Sequence, residues 1–477
     1  MKAATIKSAT TALLAASLMT ACGRPPSGAG DAAQAEPAAT PVAAAEAAPA
    51  APAAAVNAPP ATLFQNVRVF DGQTATLSEP TTVLVTGNTI TAIGADVAAP
   101  GADTYVVDGA GRTLMPGLID NHVHITMSAW SQGDALADGV TPAMLEVRAA
   151  EEAQAMLLRG FTAVRDMGGP VFSLKAGIDS GKYVGPRVWP SGAMISQTSG
   201  HGDARLPSER SRRFFGEVSK GENLGVNFIA DGRDEVLTAS RENLRFGASQ
   251  LKVMAGGGAA TAYDPLDVSQ YTFDELRASV DAAEDWNTYV TVHAYTVRGV
   301  RRAIDAGVKC IEHGQLLDEE TIKYMADKDV WLSLQVLDPP PPNADPFVAA
   351  KKNRVIDGTD SAYRWARKYG VKLAWGTDFL FNPAQNAGQN SNLLKLQQWF
   401  SAPEILTMVT HDNAELLALS GERSPYRGQL GVVQAGALAD LLLVDGDPLA
   451  DVTLLGDPAG NFDLIMKDGK IYKDAAR

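Results

Sequence analysis

The chain has 477 residues, enough to bury a large core in one big domain or two moderate ones. Apolar residues make up 45% and charged residues 20%, the balance of a soluble globular protein. Lys and Arg total 41 against 55 Asp and Glu, and the net charge of -14 argues against nucleic acid or anionic lipid as a partner.

In chain order, the first feature is an export signal. Lys2 and Lys7 accompany the apolar run "ATTALLAASLMTA", which is too short to span a bilayer as a finished helix. Thr20 and Ala21 before Cys22 resemble the lipobox of bacterial lipoproteins, with Met19 where leucine is usual. Residues 1–22 therefore predict export, acylation of Cys22, and a periplasmic or outer-membrane-anchored protein whose only membrane contact is that lipid. The other cysteine, Cys310 in "VKCIEHG", reads as a small buried residue, so no intramolecular disulfide is expected. Residues 23–61 are almost all Ala and Pro and predict an unfolded tether, reaching at most ~110 Å at about 3.1 Å per residue.

Folded structure is expected from near Thr62. "LFQNVRVFDG" and "TTVLVTGNTITAIG" are alternating runs broken by Gly and Asn, the pattern of hairpins. "GVVQAGALADLLLVDGDPL" and "FDLIMKDGKIYK" repeat that pattern near the C-terminus. Segments 62–115 and 424–477 thus predict one small β-sandwich domain built from both ends.

Residues 116–423 change to strand, loop and helix in repetition. Candidate strands are "LMPGLIDNHVHI", "FTAVRDMG", "RVWPSGAMIS", "SQLKVMA", "TYVTVHAY", "VKCIEHG", "VWLSLQV" and "VKLAWGTD". Between them lie amphipathic segments such as "TVRGVRRAIDAG", with Val297, Val300 and Ile304 on one face and a glycine after the end. Eight such units predict an α/β fold, a (β/α)8 TIM barrel, with a doubly wound open sheet as the alternative.

A barrel gathers its functional groups at the C-terminal ends of its strands. Four of the six histidines fall there: His122, His124, His293 and His313. His122 and His124 are two apart and share a strand face. An H-x-H pair alone says little, because histidines at strand ends are mostly core or loop groups. Asp378 in "AWGTDF" ends the last strand, and imidazoles with a carboxylate suit zinc and similar ions. Lys252 in "ASQLKVMAGGG" is the anomaly, a cation in an apolar strand. A salt-bridged or snorkelling lysine is the ordinary account.

Taken in order, "PGLIDNHVHIT", "QLKVMAGGG", "VTVHAY", "IEHG" and "GTD" resemble the signature of the amidohydrolase superfamily. The similarity runs from about residue 62 to the end and includes the closing "GALADLLLVDGDPL". Within that superfamily it is nearest the prolidase-like branch of Xaa-Pro dipeptidases, zinc carboxypeptidases and ochratoxinase-like amidohydrolases. The resemblance implies two divalent metal ions, zinc by preference, and Lys252 as an N6-carboxylysine bridging them. A carbamate offers two anionic oxygens where an ammonium offers none. His122, His124 and Asp378 would hold one ion, and His293 and His313 the other. The implied reaction is attack by a metal-bridged hydroxide on the amide of a dipeptide or N-acyl amino acid, with Asp378 as general acid–base.

By the same resemblance, His201 in "SQTSGHGD" and Tyr295 receive the substrate's free carboxylate. Asp203 is placed to orient His201, and Asp166 in "VRDMGG" to support packing around the site. The branch also implies a homo-oligomer. Residues 203–231 predict a lid whose Arg210, Arg212 and Arg213 form a solvated surface run or attract carboxylates, and His411 reads as structural. Competing functions are imidazolonepropionase-like or deaminase-like hydrolysis of a cyclic C–N bond, against which Lys252 speaks, and a binding lipoprotein without turnover.

Overall fold

The computed structural model describes residues 59–261 and 263–476. The expected signal peptide, Cys22 and all but the last residues of the 23–61 tether lie outside the described residues. Among these, no helix is long and apolar enough to cross a membrane.

The two ends of the described chain meet in one eight-stranded sheet. Strand Ala61–Val69 joins its halves. Its first half pairs antiparallel with Thr81–Thr86, which continues to Thr89–Ile93, and parallel with Tyr105–Asp108. An irregularity then interrupts the register at Phe64–Val67, where Asn66 has φ 54°. Beyond it Arg68 and Val69 pair with Thr113–Pro116, which leads through Leu441–Val444 and Phe462–Lys467 to Lys470–Asp474. Phe64, Val83, Leu114, Leu441 and Leu464 belong to a single apolar core, so the two halves cover each other's buried faces.

Between these ends, all eight candidate strands form, and all run parallel. Leu118–Val123, Phe161–Asp166 and Arg187–Pro190 make one ladder. Met194–Ser196, Leu251–Met254, Val290–Thr296, Cys310–Leu316, Trp331–Leu334 and Leu373–Trp375 make the other, with Asn227–Ile229 added beside Met194–Ser196. The third barrel strand spans both ladders, bridged by Ser191 N donating to Asp166 O and Ser249 N to Pro190 O. Helices cover the outside, as in Val297–Ala306, which buries Val300, Ala303 and Ile304 and stops at Gly307 in left-handed geometry.

Side chains close the barrel between its last and first strands. Asn413 Nδ2 donates to Ile119 O at 2.7 Å and Trp375 O at 3.0 Å, while its Oδ1 accepts from Trp375 N at 3.1 Å. Asp120 Oδ1 accepts from both His122 N and Thr377 N at 3.1 Å. At Gly376 a Cβ would lie 2.5 Å from His122 N, so the strands approach as only glycine allows. His411 pairs with Asp412 at 2.9 Å in the π-helical turn Met408–Asp412 that delivers Asn413.

Asn413→Leu leaves three buried main-chain groups unpaired. At about 1–3 kcal/mol for each orphaned group, it should destabilise the fold by ~3 kcal/mol or more. Urea and thermal unfolding check this, and a loss below ~0.5 kcal/mol would contradict the closure described.

Candidate metal centre

The predicted ligands converge at the C-terminal mouth of the barrel. His122 and His124 end the first strand, and each Nε2 lies 3.2 Å from Asp378 Oδ1. One donor atom from each of the three falls within 4.8 Å of the others. Asp378 Oδ2 is 4.0 Å from His313 Nε2, and the His313 ring meets His293 edge-on with centroids 4.3 Å apart. Lys252, 1% exposed, brings Nζ to 3.4 Å from His122 Nε2.

Backbone strain helps to aim this set. Alternation along Cys310–Leu316 puts Cys310 and Glu312 on one face and His313 on the other. A φ of 77° at His313 turns its ring back to the site, and Asp378 has φ 54°. Positive φ at non-glycine residues is uncommon and concentrates where a side chain must be aimed.

Outer partners fix which imidazole nitrogens face inward. His122 Nδ1 donates to Glu312 Oε2 at 2.8 Å and His124 Nδ1 to Gly168 O at 3.0 Å, which turns both Nε2 atoms toward Asp378. His293 Nε2 donates to Gly257 O at 3.1 Å, leaving its Nδ1 lone pair. Among the described residues, His313 Nδ1 is buried without a partner. Burial keeps His124, His293 and His313 below the ordinary imidazole range, so they are neutral. Asp378 is held well below the carboxylate range, because His122 and His124 outweigh its burial. Burial and Lys252 oppose protonation of His122, yet Asp378 and Glu312 raise its pKa, so this corner attracts positive charge. Burial lowers Lys252, and among the described residues no carboxylate forms an ion pair with it, so neither ordinary account of this lysine applies. Neutral imidazoles, an ionised carboxylate and a buried amine that, among the described residues, has no carboxylate ion pair fit a divalent metal site.

Two residues that support this set were absent from the sequence reading. Glu312 Oε1 accepts from Arg165 Nη2 at 2.7 Å and Thr291 Oγ1 at 2.5 Å, while Arg165 Nε reaches Asn121 O at 2.7 Å. Both charged side chains are fully buried. Their signal was a charge inside an otherwise apolar strand, the same signal that marked Lys252. Asp166, pushed up to about 7 by burial, accepts from Ile125 N at 2.9 Å and Gly168 N at 3.3 Å and fixes the turn after His124.

His201 and Tyr295 flank the other side. The His201 ring stacks on His293 with centroids 4.0 Å apart, and Tyr295 stacks on His313 at 5.0 Å. Asp203 does not orient His201; it forms an ion pair with Arg205. Asp264 takes that role, its Oδ2 2.8 Å from His201 Nδ1. A Cβ at Gly258 would come within 1.8 Å of the His201 ring. Arg210, Arg212 and Arg213 pair with Glu217, Glu222 and Glu235, as a surface run does.

Residues 113–472 match the amidohydrolase family. The chain belongs to that family. It is 31% identical over 383 residues to ochratoxinase from Aspergillus niger, covering 76% of this chain and 75% of that protein. A crystal structure of a prolidase complexed with N-methylphosphonate-L-proline superimposes with TM-score 0.79 at 32% identity, covering 87% of this chain and all of that one. A Xaa-Pro dipeptidase with bound methionine gives 0.73 at 28%, again over 87% of this chain and all of that one. These amidohydrolases share the barrel and added β domain, and the chain is a metal-dependent hydrolase of amide bonds.

Glu312→Gln removes the charge between Arg165 and His122. Metal affinity, read by competition with a chelator, should fall about 10–100-fold. Stability should fall by ~3–5 kcal/mol, because Arg165 is left as an uncompensated buried charge.

Proposed function

We propose that this chain is a binuclear metallohydrolase cleaving the amide bond of a dipeptide or N-acyl amino acid with a free carboxylate. The observation that carries this reading is Lys252, buried among the candidate ligand groups with no carboxylate ion pair among the described residues. Unprotonated, its amine can add to carbon dioxide, forming an N–C bond as one C=O π bond opens and releasing one proton, which leaves a carbamate whose two oxygens share one negative charge. His122, His124 and Asp378 would hold one ion, His293 and His313 the other, with carboxylated Lys252 between them. The ions, zinc by preference, supply Lewis-acid polarisation of the carbonyl and activation of water when bound.

The chain's own residues supply the rest. Asp378, ionised and 22% exposed at its side chain, can accept a proton at a carboxylate oxygen and pass it to the leaving nitrogen. His201 and the Tyr295 hydroxyl would receive the substrate's carboxylate. The names of the relatives agree with such a substrate: a proline dipeptidase, an ochratoxinase, and a prolidase holding a phosphonate on the nitrogen of L-proline. If residues 1–22 act as a lipoprotein signal, this activity belongs to the periplasm or outer membrane.

A panel of dipeptides and N-acyl amino acids, each with a free and an amidated C-terminus, tests the reading. Turnover of the free acids alone is expected. Equal turnover of both forms, or turnover of cyclic amides only, would contradict it. Lys252→Ala should lower kcat/KM by at least about 10³-fold, ~4 kcal/mol of transition-state stabilisation. His201→Ala should raise KM for the free acids about 10–100-fold with a smaller effect on kcat, as loss of a charge-assisted hydrogen bond requires.

A further inference from the structure

The glycine run after Lys252 leads into a loop that supports much of the substrate side. Gly257 O accepts from His293 Nε2, and Asp264 Oδ2 accepts from both His201 Nδ1 and, at 2.6 Å, Gly258 N. Gln270 Oε1 accepts from His201 N at 2.8 Å. Ala259 and Leu266 pack with Tyr295 and Val355 in one apolar cluster. Loop backbone of this kind needs an anchor, and here the anchor is a lysine from a distant helix.

Lys351 lies in the first turns of helix Pro346–Tyr369 and is 6% exposed. Its Nζ donates to Gly258 O at 2.7 Å, Thr261 O at 2.5 Å and Asp264 O at 3.0 Å. An ammonium has three donors, and three carbonyls receive them, which offsets the cost of burying the charge. All three acceptors are main-chain atoms, so the charge orders backbone rather than neutralising a side chain. The helix itself is fixed against the sixth barrel strand. At Gly358 a Cβ would lie 2.1 Å from Gln315 O, two residues beyond His313.

We propose that Lys351 is a positioning residue for recognition of the substrate carboxylate. By gathering the carbonyls of Gly258, Thr261 and Asp264 it sets the Asp264 carboxylate against His201. This rests on the reading that His201 and Tyr295 receive a carboxylate.

The test uses metal-loaded full-length protein as wild type, Lys351→Met, His201→Ala and the double variant. Each is assayed on the free-acid substrates that the wild type cleaves, with amide hydrogen exchange followed across residues 256–270. Lys351→Met should raise KM at least about 10-fold, with kcat within about threefold, unchanged metal content and faster exchange in the loop. In the His201→Ala background the same change should add less than about twofold to KM, because both act through one group. Unchanged KM, a joint fall of kcat and metal content, or additive effects would overturn the proposal. Should Lys351→Met fail to fold, Lys351→Ala is assayed with and without n-butylammonium chloride. Recovery of KM with the amine supports the proposal, and no response overturns it. Wild-type protein that treats acids and amides alike, or cleaves no free acid, rejects the carboxylate reading and this proposal with it. Wild-type discrimination with unaltered Lys351 variants rejects Lys351 alone.

Discussion

The mouth of this barrel depends on one fully buried ion pair, Arg165 with Glu312. Removing two charges from water costs several kcal/mol for each, and a pair persists there only when every donor and acceptor is met. Here they are met. Arg165 reaches Asn121 O, Tyr289 OH and Glu312, and Glu312 also accepts from Thr291 and His122. The pair fixes a negative charge beneath His122, holds its Nδ1 and turns its Nε2 toward Asp378. Arg165 holds Glu312 well below the ordinary carboxylate range against the effect of burial, so that charge persists at neutral pH.

Fold and site share their fasteners. Asp120 binds the main chain of His122 and Thr377, and so holds together the strand ends that carry His122 and Asp378. Asp378 N donates to His122 O at 2.8 Å. Positive φ at His313 and Asp378 costs of order 1–3 kcal/mol at each position and survives only where surrounding structure over-determines it. Neither side chain can be re-aimed without changing that backbone.

The fold was largely legible because parallel strands buried on both faces read as continuous apolar runs, and their helices carry a 3.6-residue period. His122, His124, His293, His313 and Asp378 were legible as candidate ligands because each places a polar group near the end of such a run, and Lys252 because it interrupts one. Partners set by tertiary packing were not. Asp203 is next but one to His201 in sequence, yet Asp264 holds the ring, because the loop after the fourth strand folds back over it. Lys351 gave no signal, since a lysine near the start of an amphipathic helix resembles many others until its three carbonyls are in view. Arg165 and Glu312 break an apolar pattern as Lys252 does, but only the folded barrel shows that they break it together.

The most direct measurement is the metal content of the purified, metal-loaded protein, taken with its 13C NMR spectrum after exchange in 13C-bicarbonate. Two ions per chain and one carbamate resonance, both lost together in Lys252→Ala, are the predicted result. A single ion per chain with no carbamate resonance would contradict the account, leaving Lys252 uncarboxylated beside a mononuclear site.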